Sequence, residues 1–314
     1  MTRRSLLPAA VLAHPACRRQ TVPDPARPKS AVAVLKAPSY DSDLVETLLT
    51  GARLCNLEVR GKNVLLKPNL VEYDRQTCIN TDVCVVAAAF EVFRRLGAGS
   101  VRIGEGPEHR RDTMGLAEEA GYFKAIPNFE SYFVDLNRDD VVRVPGFLDN
   151  GLMYVSKTVH AADLIVTMPK MKTHHWAGVT LSMKNLFGLV PGSVYGWPKN
   201  PLHYAGIDHS IVQLNRMFRQ TFAIIDGIVG MEGNGPIQGS PKSAGVLVMG
   251  SDVVAVDATC CRLMGIDPTK IEYLQQSAEI GNLNAALIDD KGENPFSVGQ
   301  PFALIPQFSH LRAL

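Results

Sequence analysis

Residues 163–192 read DLIVTMPKMKTHHWAGVTLSMKNLFGLVPG, and they decide how the rest of the chain is read. Leu164 to Thr167 is an apolar run of the kind that forms a buried strand. Directly after it come Lys170, Lys172, His174, His175 and Lys184, interleaved with Gly178, Gly188 and Gly192. A strand that empties into a basic, glycine-punctuated loop is where open α/β sheets bind ligands.

Working outward, strands and helices alternate. Residues 31–35, 63–66 and 100–103 are apolar runs, and each is followed by a stretch with helical spacing. The first helix begins after Asp41 or Ser42, the second spans Val83 to Leu96 behind Thr81-Asp82, and the third spans Arg111 to Ala120. Beyond the central stretch, Ile207–Phe218 reads as a helix and Phe222–Ile225 as a buried strand. A glycine-rich connection over 230–239 leads to a strand at Ala244–Met249. Helices follow over Val253–Met264, capped by Asp252, and over 269–280. This alternation predicts an α/β fold with a mostly parallel, doubly wound sheet. Short extended runs at 131–134, 141–144 and 153–155 predict a small antiparallel insertion at about 128–160. The chain therefore divides into residues 1–30, an α/β domain over 31–290, and a tail over 291–314.

Composition sets limits. The 314 residues carry a net charge of +1, with 46% hydrophobic and 20% charged residues. That balance excludes a general nucleic-acid or membrane-surface binder, which needs a clustered basic excess. No apolar run reaches the roughly 18 residues of a spanning helix. Arg3-Arg4 followed by Ser5 to Ala13 has the form of a twin-arginine signal, which points to the periplasm. The other reading of 1–30 is a plain extension on a cytoplasmic protein. The six cysteines include no Cys-x-x-Cys pair, so no iron–sulfur cluster is expected. Cys260-Cys261 sit in an apolar helix and read as small core residues.

The chemistry collects at strand ends. Lys67 and Asn69 follow the second strand. Gly104-Glu105-Gly106 with Arg110 and Arg111 follow the third, where free backbone N–H groups suit an anion, or where a tight turn simply carries solvated arginines. Lys170, Lys172, His174 and His175 follow the fourth. Asp226, Glu232, Asn234 and Gly235 follow the fifth. In a parallel sheet these ends line one edge, so the clusters should meet. Histidine moves protons near neutral pH and a buried lysine can lose its charge, so His174 and Lys184 are the candidate catalytic pair. Lys67, Asn69, Lys170, Lys172, Asn185, Asn234 and Gly235 are candidate anion or cofactor contacts. His175, His203, Asp226 and Glu232 are candidate metal ligands.

Four segments carry a resemblance. Leu65-Leu66-Lys67-Pro68-Asn69, Met168 to His174, Ser182 to Gly188, and Asp226-Gly227 with Glu232 to Pro236 and Gly239 are similar to signature segments of the family called domain of unknown function 362. The likeness covers roughly residues 30–285. Many members of that family carry a ferredoxin-like cysteine module, which this chain lacks. A more distant resemblance joins His174, Gly178, Lys184 and Leu189-Val190-Pro191-Gly192 to a segment of the lactate-racemase family. That resemblance implies a nickel-pincer nucleotide held by Lys184, with His174 moving a proton and His203 on the metal. Leu181-Ser182-Met183 replaces the paired glycines that precede that lysine in the racemases.

Together these readings predict an enzyme acting on a small anionic substrate with a metal ion or phosphate-bearing, nucleotide-like cofactor. Proton transfer of the racemase or epimerase type is the specific version. The other readings are a non-catalytic exported protein that binds a ligand or metal, and an accessory factor of a redox system. Each version needs His174 and Lys184 to share a cavity with the 104–111 turn and the 230–239 loop.

Overall fold

In the computed structural model, residues 27–108, 112–147 and 151–313 are described. Most of the expected export segment lies outside them, as do His109, Arg110 and Arg111.

Twelve strands occur among the described residues. In chain order they are β1 (Ser30–Lys36), β2 (Asn63–Lys67), β3 (Ser100–Glu105), β4 (Phe133–Asp135), β5 (Val141–Phe147) and β6 (Gly151–Ser156). Then come β7 (Leu164–Thr167), β8 (Lys170–His174), β9 (Gly178–Thr180), β10 (Thr221–Glu232), β11 (Ser240–Gly250) and β12 (Ile288–Gly292). The main sheet runs β12-β1-β11-β10-β7-β2-β3-β4, with β8 on β10 and β9 on β8. Along that run every pairing is parallel except the two made by β11. The chain is thus an α/β protein with a mostly parallel sheet.

Both faces of the sheet are covered, and alternate residues show it. Val32, Val34, Leu65, Ile165 and Ile225 enter one core with the helices Ile207–Met217 and Val253–Leu263. Their neighbours Ala33, Leu35, Val64, Leu66, Val166 and Ile224 enter a second core with the helices Leu44–Leu54 and Val83–Arg95. Strands buried on both faces need continuous apolar runs, which is what the sequence holds. The helix starts are set by aspartates. Asp43, rather than Asp41 or Ser42, accepts from Glu46 N; Asp82 accepts from Cys84 N, and Asp252 from Val254 N and Ala255 N.

Several boundaries differ from expectation. Of the runs assigned to an insertion at 128–160, the first is β4, an edge strand of the main sheet parallel to β3. Only β5 and β6 form a separate antiparallel pair. The 230–239 connection is shorter than it looks. β10 continues to Glu232 and pairs with β11 from Ser240, so the segment is the tip of a long hairpin. Glycines at 227 and 230 hid this continuity. Their missing Cβ atoms make room instead: a Cβ at Gly230 would lie 2.6 Å from the Met171 carbonyl oxygen. The boundary at 290 falls inside β12, and the helix expected over 269–280 is two short turns, Pro268–Lys270 and Glu272–Gln275.

One buried ion pair ties the N-terminal half to the hairpin. Asp226, fully buried on β10, accepts from Lys170 Nζ at 2.5 Å, from Tyr40 Oη at 3.1 Å and from the Asp82 backbone N–H at 3.0 Å. Removing one partner of a buried pair leaves an unpaired charge and costs about 3–5 kcal/mol. Asp226→Ala should therefore lower stability in chemical denaturation by about that amount. An unchanged denaturation midpoint would contradict the role given to this pair.

Candidate functional site

The cleft forms where two neighbouring strands stop together. Lys67 of β2 pairs with Thr167 of β7, and both strands then meet proline, at Pro68 and Pro169. Proline has no N–H to continue a ladder. The chain keeps β10 as its neighbour and resumes as β8, which pairs with β10 but not with β2, leaving a gap beside the end of β2. Along β8, Lys170, Lys172 and His174 alternate and so share a face. Within the gap lie Lys67, Asn69, Glu105, Gly106, Glu108, Lys172, His174, Thr180, Lys184, Asn185 and Pro236, around a narrow space of about 70 Å³. A wider outer space of about 580 Å³ opens from it, walled by His175, Trp176, Pro198, His203, Ile207, Asn234 and Ile237. His174, Lys184, Glu108 and Pro236 border both parts. The 104–108 turn and the tip of the β10–β11 hairpin therefore face the same cleft as His174 and Lys184.

Counting donors separates the lysines. An ammonium has three N–H bonds and no acceptor. Lys67 Nζ meets the Pro68 carbonyl at 2.8 Å, Asn185 Oδ1 at 3.1 Å and the Glu105 carboxylate. Lys172 Nζ meets Asn69 Oδ1 at 2.7 Å, the Ile79 carbonyl at 2.9 Å and the Pro236 carbonyl at 3.4 Å. Both ammonium groups are saturated. They have no N–H left for a ligand, and because Glu105 balances Lys67, the positive charge they give the cleft comes from Lys172. Lys184 differs. Its ammonium lies over the Phe187 ring, 5.0 Å from the centroid, and pairs with no carboxylate among the described residues.

Burial shifts these groups. It brings Lys172 down to about 7, aided by the charges of Lys184 and Lys170. Burial also lowers Lys67 and raises Glu105, while each partner pulls the other back. His174 is held neutral, well below the usual imidazole range, by burial and by the Lys184 ammonium.

Hydrogen bonds fix the histidine tautomers. His174 Nδ1 accepts from the backbone N–H groups of Trp176 at 3.0 Å and Ala177 at 3.1 Å. A neutral ring that accepts at Nδ1 carries its proton on Nε2. His174, expected to move a proton, is thus a donor at Nε2 in its neutral form. His175, stacked on it with ring centroids 5.0 Å apart, is the opposite. Its Nδ1 faces the Gly235 carbonyl at 2.7 Å, and a carbonyl only accepts, so neutral His175 keeps a lone pair on Nε2. His203 is anchored likewise, with Nδ1 3.3 Å from the Lys199 carbonyl.

Some expected site residues go elsewhere. Lys170 and Asp226 pair with each other under the 77–83 segment, so Asp226 has no oxygen to spare for a metal. Glu232 accepts from Ala303 N at 2.8 Å and holds the C-terminal segment. Among the described residues no group of three metal-ligating side chains forms around His175 and His203. The glycine turn at 104–106 is no open anion cradle. Gly106 N donates to Glu105 Oε1 at 3.1 Å, and Asp112 caps the helix beyond. Gly104 serves packing, since a Cβ there would sit 2.9 Å from Leu65. Asn234 and Gly235 belong to the hairpin tip, where the Gly235 carbonyl orients His175.

Of the other residues of the site, Lys199 left no mark in the sequence, whereas Asp257, a carboxylate on an apolar helix, calls for a buried partner. Lys199, fully buried, donates to the carbonyls of Gly106 at 2.7 Å and Phe187 at 3.0 Å. Asp257, raised to about 7 by burial, reaches across from the Val253–Leu263 helix. It accepts from Ser182 N at 2.8 Å and Met183 N at 3.1 Å, capping the turn that carries Lys184. Gly188 was visible as a motif glycine. A Cβ on it would lie 2.5 Å from Lys67 Nζ and collide with Glu105 Oε1. Gly188→Ala should push the Lys67–Glu105 pair apart and destabilise the protein by about 1–3 kcal/mol. A melting temperature equal to that of the native protein would contradict this.

Three comparisons bear on this arrangement. The curated relative found is the thylakoid-associated protein sll1697 of Synechocystis. It is 29% identical over 263 residues, which cover 80% of this chain and 79% of that protein. Among solved structures, the lactate racemase apoprotein from Thermoanaerobacterium thermosaccharolyticum superposes with a TM-score of 0.51 at 14% identity. That match covers 76% of this chain but only 58% of the racemase, and it shows a shared fold. No helix among the described residues is long and apolar enough to cross a membrane. The family model for the domain of unknown function 362 matches residues 64–262, which hold every strand end that lines the cleft, and the chain belongs to that family.

Proposed function

We propose that the protein is an enzyme of the racemase or epimerase type that acts on a small anionic substrate bound in the cleft. The observation that carries this reading is the division among the buried cations. Lys67 and Lys172 have spent their hydrogens on the protein and Lys172 supplies charge from behind, while Lys184 and the Nε2–H of His174 keep free donors in the cleft wall. A carboxylate bound by those two donors would be neutralised in a low-dielectric setting, which acidifies the carbon next to it. His175, whose Nε2 lone pair is fixed by its bond to Gly235, would take the proton. His203, anchored in the same way, would return one from another side of the vestibule. The apolar walls of Trp176, Pro198, Ile207 and Ile237 would limit water at the reacting carbon.

The nucleotide cofactor implied by the racemase resemblance fits in part. Lys184 could hold such a group, which would supply an electron-accepting centre when bound. The two amides that open the Lys184 turn are already taken by Asp257, so a phosphate would not be bound there. The reading above therefore uses only the side chains of this chain. Export by the twin-arginine route belongs to the same reading and rests on the sequence of residues 1–30.

Two measurements test it. Native protein incubated in D₂O with a panel of 2-substituted carboxylic acids should place deuterium on the carbon beside the carboxylate. Lys184→Ala and His174→Ala should each slow this by roughly a hundredfold or more while far-UV circular dichroism is retained. Exchange that survives both variants contradicts the assignment, and anion binding without exchange favours a binding protein instead. The second measurement is pH dependence. Lys172 is charged below about 7 and neutral above it, so acetate affinity should strengthen as pH falls through that value. In the empty protein the sign reverses. The folded value lies below the ordinary lysine value, so the penalty is full below about 7 and stability rises with pH above it.

A further inference from the structure

We propose that Thr180 is a third ligand contact, whose hydroxyl completes an oxyanion subsite with Lys184 and His174. This rests on the anion-binding reading above and adds to it a residue and a ligand chemistry. Thr180 ends β9 and stands directly opposite Lys172 in the β8–β9 pairing. It is 4% exposed, and its Oγ1 has no hydrogen-bond partner. Five other described residues share that condition, but Thr180 alone among them lines the cleft. A buried hydroxyl to which the protein itself offers no partner is a cost to the fold unless something in the cleft takes its hydrogen. A bound group that accepts its hydrogen would remove that cost.

The neighbours decide what the ligand offers. Lys172 across the strand pair has spent its three N–H bonds on Asn69, Ile79 and Pro236, so it does not serve Thr180. Lys184 and the Nε2–H of His174 only donate. The Glu108 carboxylate borders the same space and opposes an anion, but three donors facing that space call for an acceptor-rich group. Carboxylate and phosphate share that oxyanion chemistry, and two probes separate them.

The test uses Thr180→Val, which keeps the shape and removes the hydroxyl, and Thr180→Ser, which keeps the hydroxyl. Acetate and inorganic phosphate affinities are measured by calorimetry, alongside the melting temperature without ligand. Expected for the valine variant is a dissociation constant raised about tenfold for the preferred anion, in line with loss of one hydrogen bond to a charged group. Its ligand-free melting temperature should be higher than that of the native protein. The serine variant should restore binding. Unchanged affinity in the valine variant, with binding lost in Lys184→Ala, overturns the role of Thr180 and leaves the anion reading standing. Weakened binding that serine does not restore also overturns it, because the methyl would then be the group that matters. Failure of the native protein to bind either anion removes both this inference and the reading it rests on.

Discussion

An ammonium group taken out of water is costly unless acceptors take its hydrogens, and that requirement shapes this protein. Four buried lysines draw acceptors from segments far apart in the chain, whereas Lys184, also buried, keeps its hydrogens unspent. Lys67 joins the end of β2 to Glu105 of β3 and to Asn185 of the following turn. Lys172 joins β8 to the 69–79 loop and to the hairpin tip at Pro236. Lys199 joins the 106 turn to the Phe187 carbonyl, and Lys170 joins β8 to Asp226 and Tyr40. The loops at the carboxyl edge of the sheet are thus held by charge-assisted hydrogen bonds rather than by apolar packing alone.

The same accounting separates scaffold from function. A lysine that has spent its donors can still attract an anion through its charge, and in a low-dielectric cleft that attraction is strong. It cannot orient the anion. Orientation falls to the groups with hydrogens left over, Lys184 and His174, and in our inference to Thr180. The stacked histidines repeat the division. Backbone amides make His174 a donor, and a backbone carbonyl makes His175 an acceptor, although the two are adjacent in sequence. A cleft in which Lys172 loses its charge near pH 7 holds its anion in a pH-dependent way.

The sequence disclosed the sheet and the place of the cleft, because both depend on local patterns. Continuous apolar runs marked the strands, and lysines next to proline marked their ends. It did not disclose which lysines were free. Lys67, Lys172 and Lys184 look alike as letters, and only their acceptors tell them apart: the carbonyls of Pro68, Ile79 and Pro236 and the side chains of Asn69, Glu105 and Asn185. Asp226 and Glu232 looked like ligands because a carboxylate at a strand end commonly is one. Here long-range partners at Lys170 and Ala303 claim them. Thr180 and Lys199 carried no local signal. Their meaning comes from a strand pairing and a turn that bring distant chain together. The hairpin over 221–250 was cut short in the reading because glycine usually interrupts strands, whereas here it admits Met171 and Phe302 close to the ladder.

Nitrogen-15 NMR of the lysine ammonium groups tests this division most directly. At pH 6, where Lys172 is charged, the signals of Lys67 and Lys172 should exchange slowly with water and barely move as acetate or phosphate is added. The Lys184 signal should exchange faster and shift progressively to saturation. A titration in which Lys67 or Lys172 shifts most, while Lys184 stays still, would contradict the account.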